Sequence, residues 1–313
     1  MGCFLLQKYV LLQIQLLIMM NEFKKNLRES SGFRVFLYLI ALLICLLVGG
    51  VVTMLLADDG NINAIKAGQG ISHALIFMVP PLVLYGFTRF KPFQAIGFRP
   101  VTNSWLLLIG VVLMFASLPV TGQLMVWNES MSLGPSFEVL EHWLQQMEET
   151  ASKLTEQLLQ VNTFWGLLGN LLVIALIPAI GEELTFRGVL QQSLVRRCKN
   201  VHVGIVLSAA IFSFIHFQFY GFLPRMFLGL LLGYMFYYSG SLWTSILMHF
   251  INNGTAVVVA YLGYHGTTQV DADSFGTTDQ VWVILLSLVV TIALLWLSRR
   301  LSNKAVPQGK QVL

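Results

Sequence analysis

Residues 164–187 read FWGLLGNLLVIALIPAIGEELTFR, an apolar run that ends in two adjacent glutamates and an arginine. The part from 163 to 181 is long enough to cross the hydrocarbon of a bilayer as a helix. Ionisable side chains at membrane depth are costly to bury, so Glu182, Glu183 and Arg187 are expected to have a function there. This stretch predicts a helical membrane protein with a polar site inside it.

The rest of the 313-residue chain has the same apolar character. It is 56% hydrophobic and 11% charged, whereas about a quarter of the residues in a soluble domain are charged. Its apolar runs are continuous and do not alternate as the strands of a membrane barrel would. They predict an all-α, polytopic integral membrane protein of one domain with about eight transmembrane helices. We place these near 35–57, 70–88, 104–126, 163–181, 201–219, 222–239, 241–262 and 280–298.

The predicted membrane domain covers residues 35–298, with a core at about 160–260 that contains the polar clusters. Residues 1–34 form an N-terminal segment, in which a start of translation at Met20 is an alternative. Residues 299–313 form a tail. Basic residues concentrate on the connections that share a side with both termini, and most acidic residues lie on the other set. The positive-inside rule therefore predicts cytoplasmic termini. The net charge of +4 belongs to these loops, and no nucleic-acid partner is expected.

One connection has a helical pattern of its own. Apolar residues recur at alternating spacings of three and four from Phe137 to Val161, with Glu141, Glu148 and Glu149 elsewhere on the helical wheel. This pattern is typical of an amphipathic helix. We expect it on the outer membrane surface or packed across the bundle, and a lid over the site is the alternative.

Two more polar clusters lie within apolar runs, Phe212-Ser-Phe-Ile-His216 and His249-Phe-Ile-Asn-Asn253. His249 and Asn253 are four residues apart and share a helix face, as do Glu183 and Arg187, which are expected to form an ion pair. At about 1.5 Å per residue, Glu182 and His216 reach a similar depth on adjacent helices. This register makes the helix through Glu182 longer than one crossing, so a kink or break at Pro178 and Gly181 is expected.

Glu182, His216, His249 and Asn253 together can activate a water molecule and stabilise an oxyanion, with Glu183 and Arg187 as support. Glu182, His216 and His249 also resemble a catalytic zinc set with an open water position. The chain lacks the His-Glu-x-x-His motif of soluble zinc proteases. A metal-free mechanism fits the same residues, so Zn²⁺ is a candidate cofactor only.

The spacings Glu-Glu-x-x-x-Arg, Phe-x-x-x-His and His-x-x-x-Asn resemble the CPBP family of intramembrane proteases, which includes CAAX proteases and bacteriocin-processing or abortive-infection relatives. The resemblance implies an all-helical fold and cleavage of a membrane-associated peptide, either CAAX-like or bacteriocin-type. It implies that Glu182 is the general base and that His216 binds or polarises the water. His249 and Asn253 would then complete the site and hold the oxyanion. The family has been described both as metal-dependent and as glutamate-dependent.

Two other classes of function remain open at this stage. A small transporter or channel also needs intramembrane ionisable residues, and a non-catalytic immunity or scaffold protein could use the same fold to bind a partner. The expected partners of the peptidase are a peptide or protein substrate and the lipid bilayer. Its expected location is the inner membrane of a bacterium.

Overall fold

The computed structural model describes residues 13–19, 21–22, 31–57, 60–88, 91–101, 103–267 and 275–305. These residues contain helices and no strand, which confirms the all-α fold. Met20, most of the segment 1–34 and the end of the tail 299–313 lie outside the described residues. Numbered from Ser31, the helices are α1 Ser31–Ala57, α2 Ile62–Thr88, α3 Pro92–Ile96, α4 Trp105–Ala116, α5 Leu118–Glu129, α6 Glu138–Leu159, α7 Phe164–Cys198, α8 Val201–Phe214, α9 Phe222–Ser239, α10 Leu242–Tyr264 and α11 Val281–Ala305.

Six helices in the described part of the chain are long and apolar enough to cross a membrane, namely α1, α2, α7, α9, α10 and α11. Helices α4 and α5 meet at a bend of 44° and add a seventh span if they cross as one broken helix. Helix α8 has 14 residues and extends about 21 Å, which is less than the roughly 30 Å of hydrocarbon in a bilayer. A polytopic membrane fold is therefore supported, and the count of eight stays a prediction.

Helix α10 lies in the interior of the bundle, against α4, α7 and α9. One buried apolar cluster joins α4, α9 and α10 and includes Leu113, Met235 and Met248. A second cluster joins α2, α3, α7, α9 and α10 and includes Ala179. The outer helices α1 and α11 expose large apolar side chains such as Met54, as expected of surfaces that contact lipid.

Helix α7 continues through Pro178 as a single helix of 35 residues, so a break there is wrong and a kink stays a prediction. Two π-helical segments, Leu171–Leu176 and Leu184–Gln191, flank the α-helical segment Ile177–Glu183. Pro178 has no N–H to donate to the carbonyl of Ile174, four residues earlier. Wider π turns are frequent near functional sites, and here they lie on both sides of the two glutamates.

Close packing of α2 against α7 brings His73 of α2 next to Glu182 of α7. A Cβ atom at Gly181 would lie 3.0 Å from Phe77 Cβ, so only glycine fits without a shift of α2. The Thr185 hydroxyl donates a 2.8 Å hydrogen bond to the Phe77 carbonyl. As a result His73, one turn before Phe77, lies beside Glu182.

The amphipathic pattern from Phe137 to Val161 forms helix α6, Glu138–Leu159, as predicted. Among the apolar residues of this pattern, Leu140 is 46% and Met147 is 39% exposed, whereas Leu158 is buried. On another face, Glu148 contacts the segment between α8 and α9.

Candidate active site

Glu182 lies between two histidines that come from different helices. It is 6% exposed. Its Oε1 is 3.3 Å from Nε2 of His73 in α2, and its Oε2 is 3.7 Å from Nε2 of His249 in α10. The second distance is too long for a direct hydrogen bond, and the two atoms are close enough for one water molecule at their side to contact both.

Glu183 faces a different set of partners and is fully buried. Its Oε1 accepts hydrogen bonds from Arg187 Nη1 at 2.6 Å and from His249 Nδ1 at 2.9 Å. Arg187, which is 1% exposed, donates a further hydrogen bond from Nη2 to the Gly229 carbonyl at 3.0 Å. The expected ion pair between Glu183 and Arg187 is confirmed, and it connects α7 to α9 and α10.

The hydrogen bond to Glu183 also determines the chemistry of the His249 ring. An ionised carboxylate can only accept, so Nδ1 of His249 carries the proton in this contact. In the neutral ring Nε2 is then an acceptor, and this is the atom that faces Glu182. Glu183 therefore orients His249, while Glu182 keeps its oxygens for other partners.

Phe212 connects His216 to the rest of the site. Its ring centroid is 5.2 Å from that of His216 and 6.0 Å from that of His249. The Arg187 guanidinium lies 5.0 Å from the same ring. His216 Nδ1 donates to the Phe212 carbonyl at 2.8 Å, so Nε2 of the neutral ring is an acceptor, as in His249. Phe212 thus contacts both imidazoles, one from α10 and one from the segment that follows α8.

Asn253 lies on the same face of α10 as His249, but its side chain has another partner. Its Nδ2 donates to the Ile174 carbonyl at 3.4 Å, the carbonyl that Pro178 leaves without its usual N–H donor. Its Oδ1 accepts from Asn252. Among the described contacts, none joins Asn253 to the glutamates or histidines, so its position supports a structural role and leaves the oxyanion role a prediction.

His73 is the member of this cluster that the sequence analysis missed. Its imidazole packs on Phe77 with a centroid distance of 4.5 Å. Its Nε2 is buried and 3.3 Å from Glu182 Oε1, but the angles at this contact are not those of a hydrogen bond. An ionisable side chain inside the apolar run 70–88 was the available signal. The three motif spacings did not indicate α2, because His73 is not part of a spaced polar motif in its helix.

The histidine nitrogens of the site are suitable ligands for a metal ion, but the positions of the side chains are less suitable. Both His216 and His249 donate from Nδ1 to an oxygen acceptor and leave Nε2 as an acceptor, as zinc-bound histidines commonly do. In the part of the chain that the structure describes, however, no three His, Cys, Asp or Glu side chains are arranged to hold an ion. We therefore derive no step through a metal, and the zinc set Glu182, His216 and His249 stays a hypothesis.

Comparison with known proteins supports the resemblance drawn from the motifs. Residues 164–255 match the family described as "Rce1-like: Type II CAAX prenyl endopeptidase Rce1-like". This range contains all three motifs. The match is to a protease family, so it supports a peptidase in general and implies a peptide substrate at the membrane. Neither the curated proteins nor the solved structures compared with the chain gave a match.

Proposed function

We propose that this chain, with its Rce1-like segment at 164–255, is an intramembrane endopeptidase that hydrolyses a membrane-associated peptide with water activated by Glu182. The observation that carries the proposal is the position of Glu182. It is a buried carboxylate between the Nε2 atoms of His73 and His249, while its neighbour Glu183 is already paired with Arg187.

In the proposed reaction a water molecule lies beside Glu182 Oε2 and His249 Nε2 and donates a hydrogen bond to each. Glu182 accepts a proton from this water as its oxygen attacks the scissile carbonyl carbon. Collapse of the tetrahedral intermediate breaks the C–N bond, and Glu182 returns the proton to the leaving nitrogen. The products are a carboxylic acid and an amine, and the ionised glutamate is regenerated.

The other residues have distinct roles in this proposal. His249, oriented by Glu183, holds the water through Nε2, and His216 provides a second Nε2 acceptor near it. His73 confines Glu182 by lying beside its Oε1, while His249 faces its Oε2. The Asn253 amide has a second N–H besides the one directed at Ile174, and this group would donate to the oxyanion.

The substrate in this proposal is a CAAX-like or bacteriocin-type peptide that reaches the site from the bilayer. A short peptide anchored by an apolar chain would present its backbone at the depth of Glu182. The family match to CAAX prenyl endopeptidases makes the prenylated CAAX peptide the first substrate to test.

The test is cleavage of a fluorogenic peptide that ends in a prenylated CAAX sequence, by purified protein in lipid nanodiscs. A membrane-anchored bacteriocin-leader peptide is the second substrate. We expect Glu182→Gln to lower kcat at least about a thousandfold, because the amide cannot accept the proton. His73→Ala is expected to lower kcat less, since Glu182 remains.

The matched control is Glu149→Gln, which changes an exposed glutamate of α6. All variants are compared at equal membrane insertion and melting temperature. Full activity of a folded Glu182→Gln protein would refute the mechanism. If the wild-type protein cleaves neither peptide, the proposed peptidase activity is refuted.

A further inference from the structure

The segment 215–221, which joins α8 to α9 and carries His216, has an unfavourable backbone. Phe217, directly after the histidine, has a φ of 51°. Positive φ is costly for a residue with a side chain and persists only where the surroundings enforce it. The contacts that enforce it therefore also determine where His216 lies.

A carboxylate of the surface helix α6 binds this segment at two points. Glu148 Oε1 accepts from the Gln218 side-chain amide at 3.1 Å, and Oε2 accepts from the backbone N–H of Tyr220 at 3.3 Å. One turn earlier in α6, Gln145 donates to the Tyr220 hydroxyl at 3.2 Å. These bonds fix α6 to the segment on the side just after His216.

Arg225, in the first turn of α9, closes the same network. It donates to the Gln218 carbonyl at 3.0 Å and to the Gln218 side-chain oxygen at 2.9 Å. Its Nη2 is also 3.9 Å from Glu148 Oε1. Gln218 is thus held by a carboxylate from α6 and a guanidinium from α9 at once.

The far end of the segment has an independent anchor. Asn128, which is 1% exposed, donates to the Phe219 carbonyl at 2.9 Å and accepts from the Leu223 N–H at 2.6 Å. At the near end, the His216 ring donates a hydrogen bond to the Phe212 carbonyl of α8. The part between His216 and Tyr220 is where Glu148 binds.

We propose that Glu148 is a positioning residue: it clamps the segment 215–221 against α6 and thereby holds His216 in the candidate active site. This inference rests on the proposed function, since it assigns His216 a catalytic task. It makes the amphipathic helix a fixed part of the site, in place of a lid that opens and closes.

The first readout does not depend on activity. Hydrogen–deuterium exchange of the segment 215–221 is compared among wild type, Glu148→Ala and Glu149→Ala in nanodiscs. Glu149 is the matched control, because its side chain is 65% exposed and pairs with Lys153. We expect exchange in the segment to be at least about fivefold faster in Glu148→Ala and unchanged in Glu149→Ala.

The second readout is kinetic. Glu148→Ala is expected to lower kcat about tenfold with KM within about twofold, because the reacting group and not the substrate is displaced. Glu148→Gln keeps one acceptor and should recover part of this loss. In a His216→Ala background, Glu148→Ala should cause no further loss, since both changes act on the same imidazole.

Unchanged exchange in Glu148→Ala would overturn the proposal, as would a full additional loss in the His216→Ala background. If Glu148→Ala does not fold, Glu148→Gln carries both comparisons. An inactive wild-type protein would refute the proposed function. The exchange data alone would then decide whether Glu148 holds the segment.

Discussion

The buried pair of Glu183 and Arg187 makes a prediction about stability that does not depend on any substrate. Their side chains are 0% and 1% exposed, and the two atoms of the pair are 2.6 Å apart. Removing one partner of such a pair costs about 3–5 kcal/mol, because a charge remains buried without its counterpart. The second hydrogen bond of Glu183, to His249, adds about 1 kcal/mol.

Arg187 keeps two contacts when Glu183 is neutral, namely the Gly229 carbonyl and the face of the Phe212 ring. We therefore expect the lower part of that range, about 3 kcal/mol, for Glu183→Gln. The double variant Glu183→Gln/Arg187→Met removes both charges and should cost less than about 2 kcal/mol, so the two changes are strongly non-additive.

The assay is equilibrium unfolding in detergent micelles, followed by circular dichroism and tryptophan fluorescence. The control is Glu149→Gln, which breaks the exposed pair with Lys153 and should leave the free energy of unfolding nearly unchanged. A cost below about 1 kcal/mol for Glu183→Gln would refute the reasoning. The reasoning would also be refuted if the double variant lost as much free energy of unfolding as the two single variants together. The double variant is also expected to lack activity, because His249 loses its orienting carboxylate.

Two further predictions concern Asn253 and the metal question. Asn253→Ala should lower the free energy of unfolding by about 1 kcal/mol. Adding Pro178→Ala should restore part of this loss, because it supplies an N–H for the Ile174 carbonyl. Equilibrium unfolding of the single and double variants measures this, and a double variant no more stable than Asn253→Ala would contradict it. Since the proposed step activates water with Glu182 and routes no bond change through a metal ion, treatment with a chelator is expected to leave peptide cleavage unchanged. Loss of cleavage that is restored by Zn²⁺ would instead assign Glu182, His216 and His249 as ligands.

The sequence by itself was sufficient for the parts of this protein that follow from periodicity and the cost of burying charge. Long apolar runs identified a polytopic helical fold, because every backbone group in a bilayer must be hydrogen-bonded within the segment. The spacing of four between Glu183 and Arg187 predicted their ion pair, since such residues are neighbours on any helix. The apolar pattern from Phe137 to Val161 likewise predicted helix α6.

Only the tertiary structure decided what depends on contacts between distant parts of the chain. It brought His73 to Glu182 across the Gly181 contact, which no local pattern encodes. It directed the Asn253 amide to the Ile174 carbonyl, which Pro178 leaves without its usual N–H donor. The residue count had predicted a kink or break there, and the helix is not broken. Local spacing determines which side chains share a helix face, whereas helix packing determines which faces meet, and the partners of Glu182 depend on the packing.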